Sequence, residues 1–406
     1  MPAGPGTAPN LTDPQASRQT CAVDLTWSDR EQAFRAEAAE WLEVNVPRPG
    51  LPSGDTAEGF ALHLEWERAL HAQGYSAVSW PVEYGGRAAS LWEWLIFEDE
   101  YYRVGAPQRV TQNGIFLLAP TIFEFGTTAQ QDWYLPRMAA AEDLWCQGWS
   151  EPNAGSDLAG ITSKARRDGD GWRLSGQKTW TTRGAFCTHL FGLFRTDPEA
   201  TRHHGLTYFL VPLDAEGVTV RGFGRLDGDE GFAEVFFDDV FVPDGDVDPG
   251  RGGTLGAVDG GWGVAMATTG SERGLTLRSP GRFRATAARL VQLVRERGVE
   301  DPVLRDAVVR AWIDAEAYAL YTLGDVTAIT DGGSPGARSS LNKIFWSELD
   351  VRLHQAALDV LGGEAELDED QWMKGYQFAL SGPIYAGTNE IQRNIVAERV
   401  LGLPRK

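Results

Sequence analysis

Apolar residues recur at three- and four-residue intervals from about Leu25 to Leu144, and that spacing predicts helices. The stretch DREQAFRAEAAEWLEVNV opens behind Ser28–Asp29, an N-cap with Glu31 close after it. LWEWLIFEDEYYRV is mostly apolar with a short acidic patch, so it predicts a largely buried helix in which Trp92, Trp94, Tyr101 and Tyr102 are core. Near Trp145 the period changes. SKARRDGDGWRLSGQKTW predicts two strands around an Asp-Gly turn, and LTYFLVPL, GVTVRGF and AEVFFDDVFVP predict more, ending at Pro243. After a Gly-rich linker the helical period returns, with Val308, Trp312, Ile313, Ala315, Leu320 and Leu323 marking one face. SLNKIFWSELDVRLHQAALDVLGG predicts another long helix, stopped by Gly362–Gly363, and a last one runs from Asn389 to just before Leu403–Pro404. The pattern predicts an α+β chain: a disordered tail (1–24), a helical domain (25–144), a β-domain (145–250) and a helical bundle (251–406).

Charge and composition narrow the function. The 406 residues carry 37 Lys and Arg against 57 Asp and Glu, a net charge of −20, opposite in sign to a nucleic-acid footprint. No apolar run reaches the roughly 18–20 residues of a membrane-spanning helix, and the first residues lack a secretion signal. A cytoplasmic protein is expected. Cys21, Cys146 and Cys187 have no metal-binding spacing, and His203–His204 sits in a polar stretch that predicts a solvated loop, so no metal site is expected. No GxGxxG opens a helix, which removes the Rossmann fingerprint.

Chemistry concentrates in three segments. WSEPNAGSDLAG (Trp149–Gly160) holds a tight turn at Gly155, Ser156 and Asp157 that offers backbone N–H groups and small hydroxyls to a ligand. KTWTTRG (Lys178–Gly184) follows, and PIYAGTNEIQRNIVAERVLGLPR lies near the C-terminus. Together, in this order, the three resemble the acyl-CoA dehydrogenase family. The resemblance implies an N-terminal helical domain, a middle β-barrel and a C-terminal four-helix bundle, with FAD held between the last two in a homodimer or homotetramer. It implies that Gln147, Trp149, Ser150 and Ser156 line the flavin, with Ser156 also near the acyl thioester. Trp180 packs on the ring and the Thr182 hydroxyl meets its N5, while Gly362, Gly363, Thr388 and Glu390 complete the cofactor site. An electron-transfer flavoprotein is the implied acceptor.

The implied reaction needs a carboxylate for the α-proton, a hydride acceptor opposite it, and hydrogen bonds to the thioester oxygen. In many members the carboxylate stands inside the Ile-Tyr-x-Gly-Thr segment, where this chain has Ala386. Ala386 and Gly387 can still face the thioester with backbone. Glu272 matches the alternative base position of isovaleryl- and long-chain-type members, and Arg273 the arginine beside it. Departures from the family pattern remain: Asp359 and Ala365 in the second signature, a missing Arg-x-Phe-Gly stretch that leaves Arg295 or Arg297 for the anionic end of the cofactor, and Pro280, expected to kink a smooth helix. Two alternatives stay open, a partner subunit of a hetero-oligomer and a flavoenzyme for carrier-protein-bound acyl groups.

Overall fold

The computed structural model describes residues 26–245, 248–272, 279–333, 336–366 and 371–404; the side chains of Ser271 and Glu272 fall outside that set, as does the predicted tail at 1–24. Helices open the chain: α1 (Asp29–Asn45), α2 (Ala57–Ala72) and α3 (Leu91–Arg103). Ser28 caps α1 as the sequence predicts, and Glu31 reaches back to the Ser28 N–H at 2.7 Å. Trp94 and Tyr101 are each 1% exposed, with Trp92 and Tyr102 packed partly buried on the same cluster. A π-helical turn at Asn113–Leu118 leads into α4 (Ala119–Phe125), and α5 (Thr128–Ala139) completes this part.

At Trp145 the chain enters one eight-stranded sheet: β1 (Trp145–Gly148), β2 (Lys164–Asp168), β3 (Gly171–Thr182), β4 (His189–Arg195), β5 (Leu206–Pro212), β6 (Val218–Phe223), β7 (Phe232–Pro243) and β8 (Gly253–Leu255). The strand order is β6-β7-β3-β2-β4-β5-β8, with β1 paired parallel to β4. The predicted Asp-Gly turn joins β2 to β3 at Gly169–Asp170. Leu174, Leu190, Phe194, Phe209, Val235 and Val240 bury one face. Between β3 and β7 the register slips from Lys178 to Thr181, a bulge centred on Thr179–Trp180. His203 and His204 lie exposed in the β4–β5 connection, and among the described residues no cluster of metal-ligating side chains forms.

Helices return as α6 (Gly261–Glu272), α7 (Pro280–Glu296), α8 (Pro302–Thr330), α9 (Ser339–Leu361), α10 (Gln371–Ala379) and α11 (Asn389–Ile395). Two expectations need correction. Pro280 kinks nothing: it is the first residue of α7, behind the Ser279 cap, where its missing N–H has no intrahelical role. The apolar face expected on α8 divides in two. Val308, Ala315 and Leu323 pack on neighbours, whereas Trp312, Ile313 and Leu320 are 44%, 52% and 54% exposed. Periodicity reports which residues avoid water, not which neighbour covers them.

A buried ion cluster ties the helical part to the sheet. The Asp55 carboxylate accepts from Arg183 Nε and Arg225 Nη1, both at 2.6 Å, and Arg225 also donates to Asp227 at 2.7 Å. Burial pushes the Asp55 carboxyl up, but the two guanidiniums outweigh it and hold it below its ordinary range. Replacing Asp55 by Asn leaves two largely buried cations short of an anion, so Asp55→Asn is expected to lower the unfolding free energy by about 3–5 kcal/mol in denaturant titrations.

Candidate active site

The turn after β1 is held by charge. Glu151 is buried and accepts from Lys178 Nζ at 2.8 Å, from the Thr162 N–H at 2.6 Å and from the Ser163 N–H at 2.9 Å. Lys178, wholly buried, also donates to the Leu193 carbonyl at 2.7 Å and sits over the Phe194 ring. Burial pushes Glu151 up, but Lys178 and the N–H donors prevail and hold it down to about 2. The same burial depresses Lys178 to about 8, against the pull of Glu151. Sequence reading missed this pair. Its one signal is a lysine at even spacing from Trp172 and Leu174, the apolar positions of the first half of β3.

Beside that anchor, the Thr179 N–H donates to the Ser150 carbonyl at 2.9 Å. This bond brings Gln147–Ser150 alongside Lys178–Thr182. Trp180 has a left-handed φ of 58° at the bulge, and its ring is 60% exposed with Phe223 and Phe232 edge-on at 5.4 and 5.6 Å. Holding a non-glycine residue there costs on the order of 1–2 kcal/mol. Thr182 is half-buried at the strand end. Gln147 Nε2 and Trp149 Nε1 are buried without a hydrogen-bond partner. Ser156 is exposed, and open space surrounds Gly155.

A second set gathers on the C-terminal helices. Ala386 and Gly387 have φ of 56° and 79°, and Gln392 Nε2 donates to both their carbonyls, at 2.9 and 3.2 Å. Among the described residues the Ala386 N–H donates to no protein acceptor. Thr388 caps α11, and Glu390 in its first turn is held below its ordinary range by that backbone. Gly362 and Gly363 follow α9 in open space. Arg297 pairs with Glu364 at 2.7 Å, next to those glycines. Asp359 is exposed and accepts from Gln355 at 2.9 Å, directed back along its helix.

No hydrogen bond among the described residues joins Trp180–Thr182 to the Ala386 loop. Lys374 on α10 lies 3.4 Å from Asp229 in the β6–β7 connection. It borders a cleft of about 380 Å³, lined also by Asp55, Arg225, Arg282 and Arg289, where the three parts meet. Glu272 is the last residue of α6, its side chain outside the described set, and Arg273 lies outside it altogether.

The N-terminal, middle and C-terminal domain models of acyl-CoA dehydrogenase match residues 28–142, 146–240 and 259–401. The chain belongs to the acyl-CoA dehydrogenase family. It is 39% identical over 397 residues to the acyl-CoA dehydrogenase IpdE1 of Mycolicibacterium smegmatis, covering 92% of this chain and 98% of that one. Against IpdE1 of Mycobacterium tuberculosis the figures are 40% over 390 residues, 92% and 98%. Among solved structures, the Tcur3481-Tcur3483 steroid ACAD superposes with a TM-score of 0.82 at 26% identity, over 94% of this chain and 100% of that one. The ChsE4-ChsE5 complex from Mycobacterium tuberculosis superposes with 0.77 at 28%, over 94% and 100%.

This acyl-CoA dehydrogenase is therefore an FAD-dependent oxidoreductase acting on CH–CH groups. The residues present fit that cofactor. An uncovered indole, two orphaned side-chain donors and an open glycine turn suit a flat ring rich in heteroatoms. No described helix is long and apolar enough to cross a membrane.

The Glu151–Lys178 pair makes a pH prediction. A carboxyl depressed in the folded state contributes stability that is full above its ordinary value of 4.5 and is lost as pH falls toward about 2. Acid unfolding followed by tryptophan fluorescence is expected in that window. Lys178→Met, which strands the buried carboxylate, is expected to cost about 3–5 kcal/mol at pH 7 and to move unfolding to higher pH.

Proposed function

We propose that this enzyme oxidises the α,β bond of a bulky, steroid-derived acyl-CoA, with Glu272 as the base. The observation that carries the assignment of the base is Ala386: the loop keeps its left-handed backbone and an N–H free to face the thioester oxygen, yet offers no proton acceptor. Glu272, at the C-terminal end of α6, is the carboxylate at the family's other base position. Gln392 fixes the loop carbonyls, so the Ala386 N–H is pre-aimed rather than mobile. Bound FAD supplies the two-electron acceptor. Gln147, Trp149, Ser150, Trp180 and Thr182 would hold its ring, Gly362, Gly363, Thr388 and Glu390 its remainder, and Ser156, Arg273 and Gly387 would border the substrate. The steroid class is supported by the name of a structure similar over nearly the whole chain.

Assembly follows from α8. Trp312, Ile313 and Leu320 form an exposed apolar stripe on a long helix, the mark of an intersubunit face. The similar solved structures named as two-component proteins favour pairing with a second chain of this fold, and membership of the family favours an electron-transfer flavoprotein as the electron acceptor.

Glu272→Gln keeps shape and removes basicity. It is expected to bind FAD and acyl-CoA while anaerobic flavin bleaching slows by about 10²–10⁴-fold; bleaching at the parental rate would reject the assignment. Thr182→Val is expected to slow flavin reduction with FAD content unchanged, as read by stopped-flow absorbance. Light scattering is expected to give at least twice the chain mass, and Trp312→Asp to reduce it.

A further inference from the structure

Three hydroxyls, one from each part of the chain, meet in the interior. Thr121 of α4, Tyr208 of β5 and Thr268 of α6 are all buried. Thr268 Oγ1 lies 2.8 Å from Thr121 Oγ1 and 3.3 Å from the Tyr208 hydroxyl. Thr121 Oγ1 also donates to the Leu117 carbonyl at 3.2 Å. One proton direction serves the whole series: Tyr208 donates to Thr268, Thr268 to Thr121, and Thr121 to Leu117. Thr268 does not need these partners to be satisfied, because the Val264 carbonyl of its own helix is 3.1 Å away. Its neighbour Thr269 bonds in just that way, to the Ala265 carbonyl at 2.7 Å.

What the bridge adds is orientation. At the start of α6, a Cβ on Gly261 would lie 2.7 Å from the backbone of Thr207 and Tyr208, so a glycine seats the helix directly on β5. That contact fixes where α6 begins. A side-chain contact two turns later, off the helix axis, fixes its rotation. Glu272 stands one turn beyond Thr268, and residues one turn apart share a helix face. On the far side of the bridge, the Tyr208 ring stacks on Phe191 at 6.1 Å and meets Trp149 edge-on at 6.5 Å. Tyr208 therefore joins α6 to the segment that carries Gln147 and Trp149.

We infer that Thr268 is a positioning residue: through Thr121 and Tyr208 it sets the rotation of α6, and with it the placing of Glu272 relative to the Trp149 segment. The inference rests on Glu272 as the base and goes beyond that reading in naming what aims it. Proton and hydride leave adjacent carbons on opposite sides of the substrate, so base and hydride acceptor need a fixed separation and angle. A misplacement of about 1 Å, introduced away from the reacting atoms, can cost about 10²-fold in rate. A helix free to turn by a fraction of its circumference moves its next side chain by at least that much.

The test compares Thr268→Val, which keeps the shape and removes the hydroxyl, with Thr268→Ser, which restores it. Three quantities are read on the FAD-loaded enzyme: calorimetric affinity for CoA thioesters of steroid side-chain acids, anaerobic flavin bleaching, and exchange of the α-hydrogen with heavy water. Exchange uses thioesters whose β carbon is replaced by sulfur, which can lose the proton but not the hydride. Thr268→Val is expected to bind FAD and thioester as the parent does, while bleaching and exchange both slow roughly tenfold. Thr268→Ser should recover most of both rates, and Thr268→Val should add nothing to Glu272→Gln. Thr121→Val breaks the same bridge from α4 and reads the same quantities should Thr268→Val fail to fold. Parental rates in the folded variants, bleaching slowed without exchange, lost FAD affinity, or slowing additive with Glu272→Gln each overturn the inference. Parental bleaching by Glu272→Gln, or no bleaching of the parent by any of the thioesters, overturns the proposed reaction and this inference with it. Slow Glu272→Gln beside an unslowed Thr268→Val overturns this inference alone.

Discussion

A lysine ammonium sealed inside the sheet, with one glutamate as its counter-ion, holds the turn after β1 and the end of β3 in place. Lys178 lies on β3 two residues before Trp180, and Glu151 lies in the turn that follows β1. Their contact, reinforced by N–H donors from Thr162 and Ser163, joins two segments distant in sequence into one rigid unit. Such a pair is weak evidence for net stability, because desolvation consumes much of the Coulombic gain. Its value is geometric. With both charges buried, no alternative register of β3 leaves them satisfied, so the position of the strand end is specified.

That rigidity lets the strand end carry a local violation. The bulge puts a tryptophan in backbone space that favours glycine and turns its ring outward between two phenylalanines. Strain of this kind persists only where neighbours over-determine the conformation. Here the Glu151–Lys178 pair lies just before it and the Asp55–Arg183–Arg225 cluster just after. The Ala386 loop has the same logic on the helical side, its left-handed backbone held by one glutamine.

What could be read from the sequence was local. The Ser28 cap, the β2–β3 turn and the Gly362 stop are each decided within a few residues, and the structure has them where the pattern predicts. The acyl-CoA dehydrogenase segments were legible because their order survives in one chain. What could not be read depended on distance or on absent neighbours. Lys178 looks like any strand lysine until Glu151 is seen beside it. Trp94 and Glu98 read as helix core and acidic patch, because spacing says nothing of a void next to them. Pro280 was misread because a helix boundary and a helix kink leave the same residue in the same place.

The exposed stripe on α8 has a consequence for the life of the newly made polypeptide. With Trp312, Ile313, Leu320 and Trp180 exposed, the folded chain by itself displays apolar surface of the sort that chaperones retain and that seeds aggregation. Under the assembly proposed above, maturation is limited by encounter rather than by folding. Yield in a foreign host would then follow the supply of flavin and of the proposed partner, more than the intrinsic stability of the subunit.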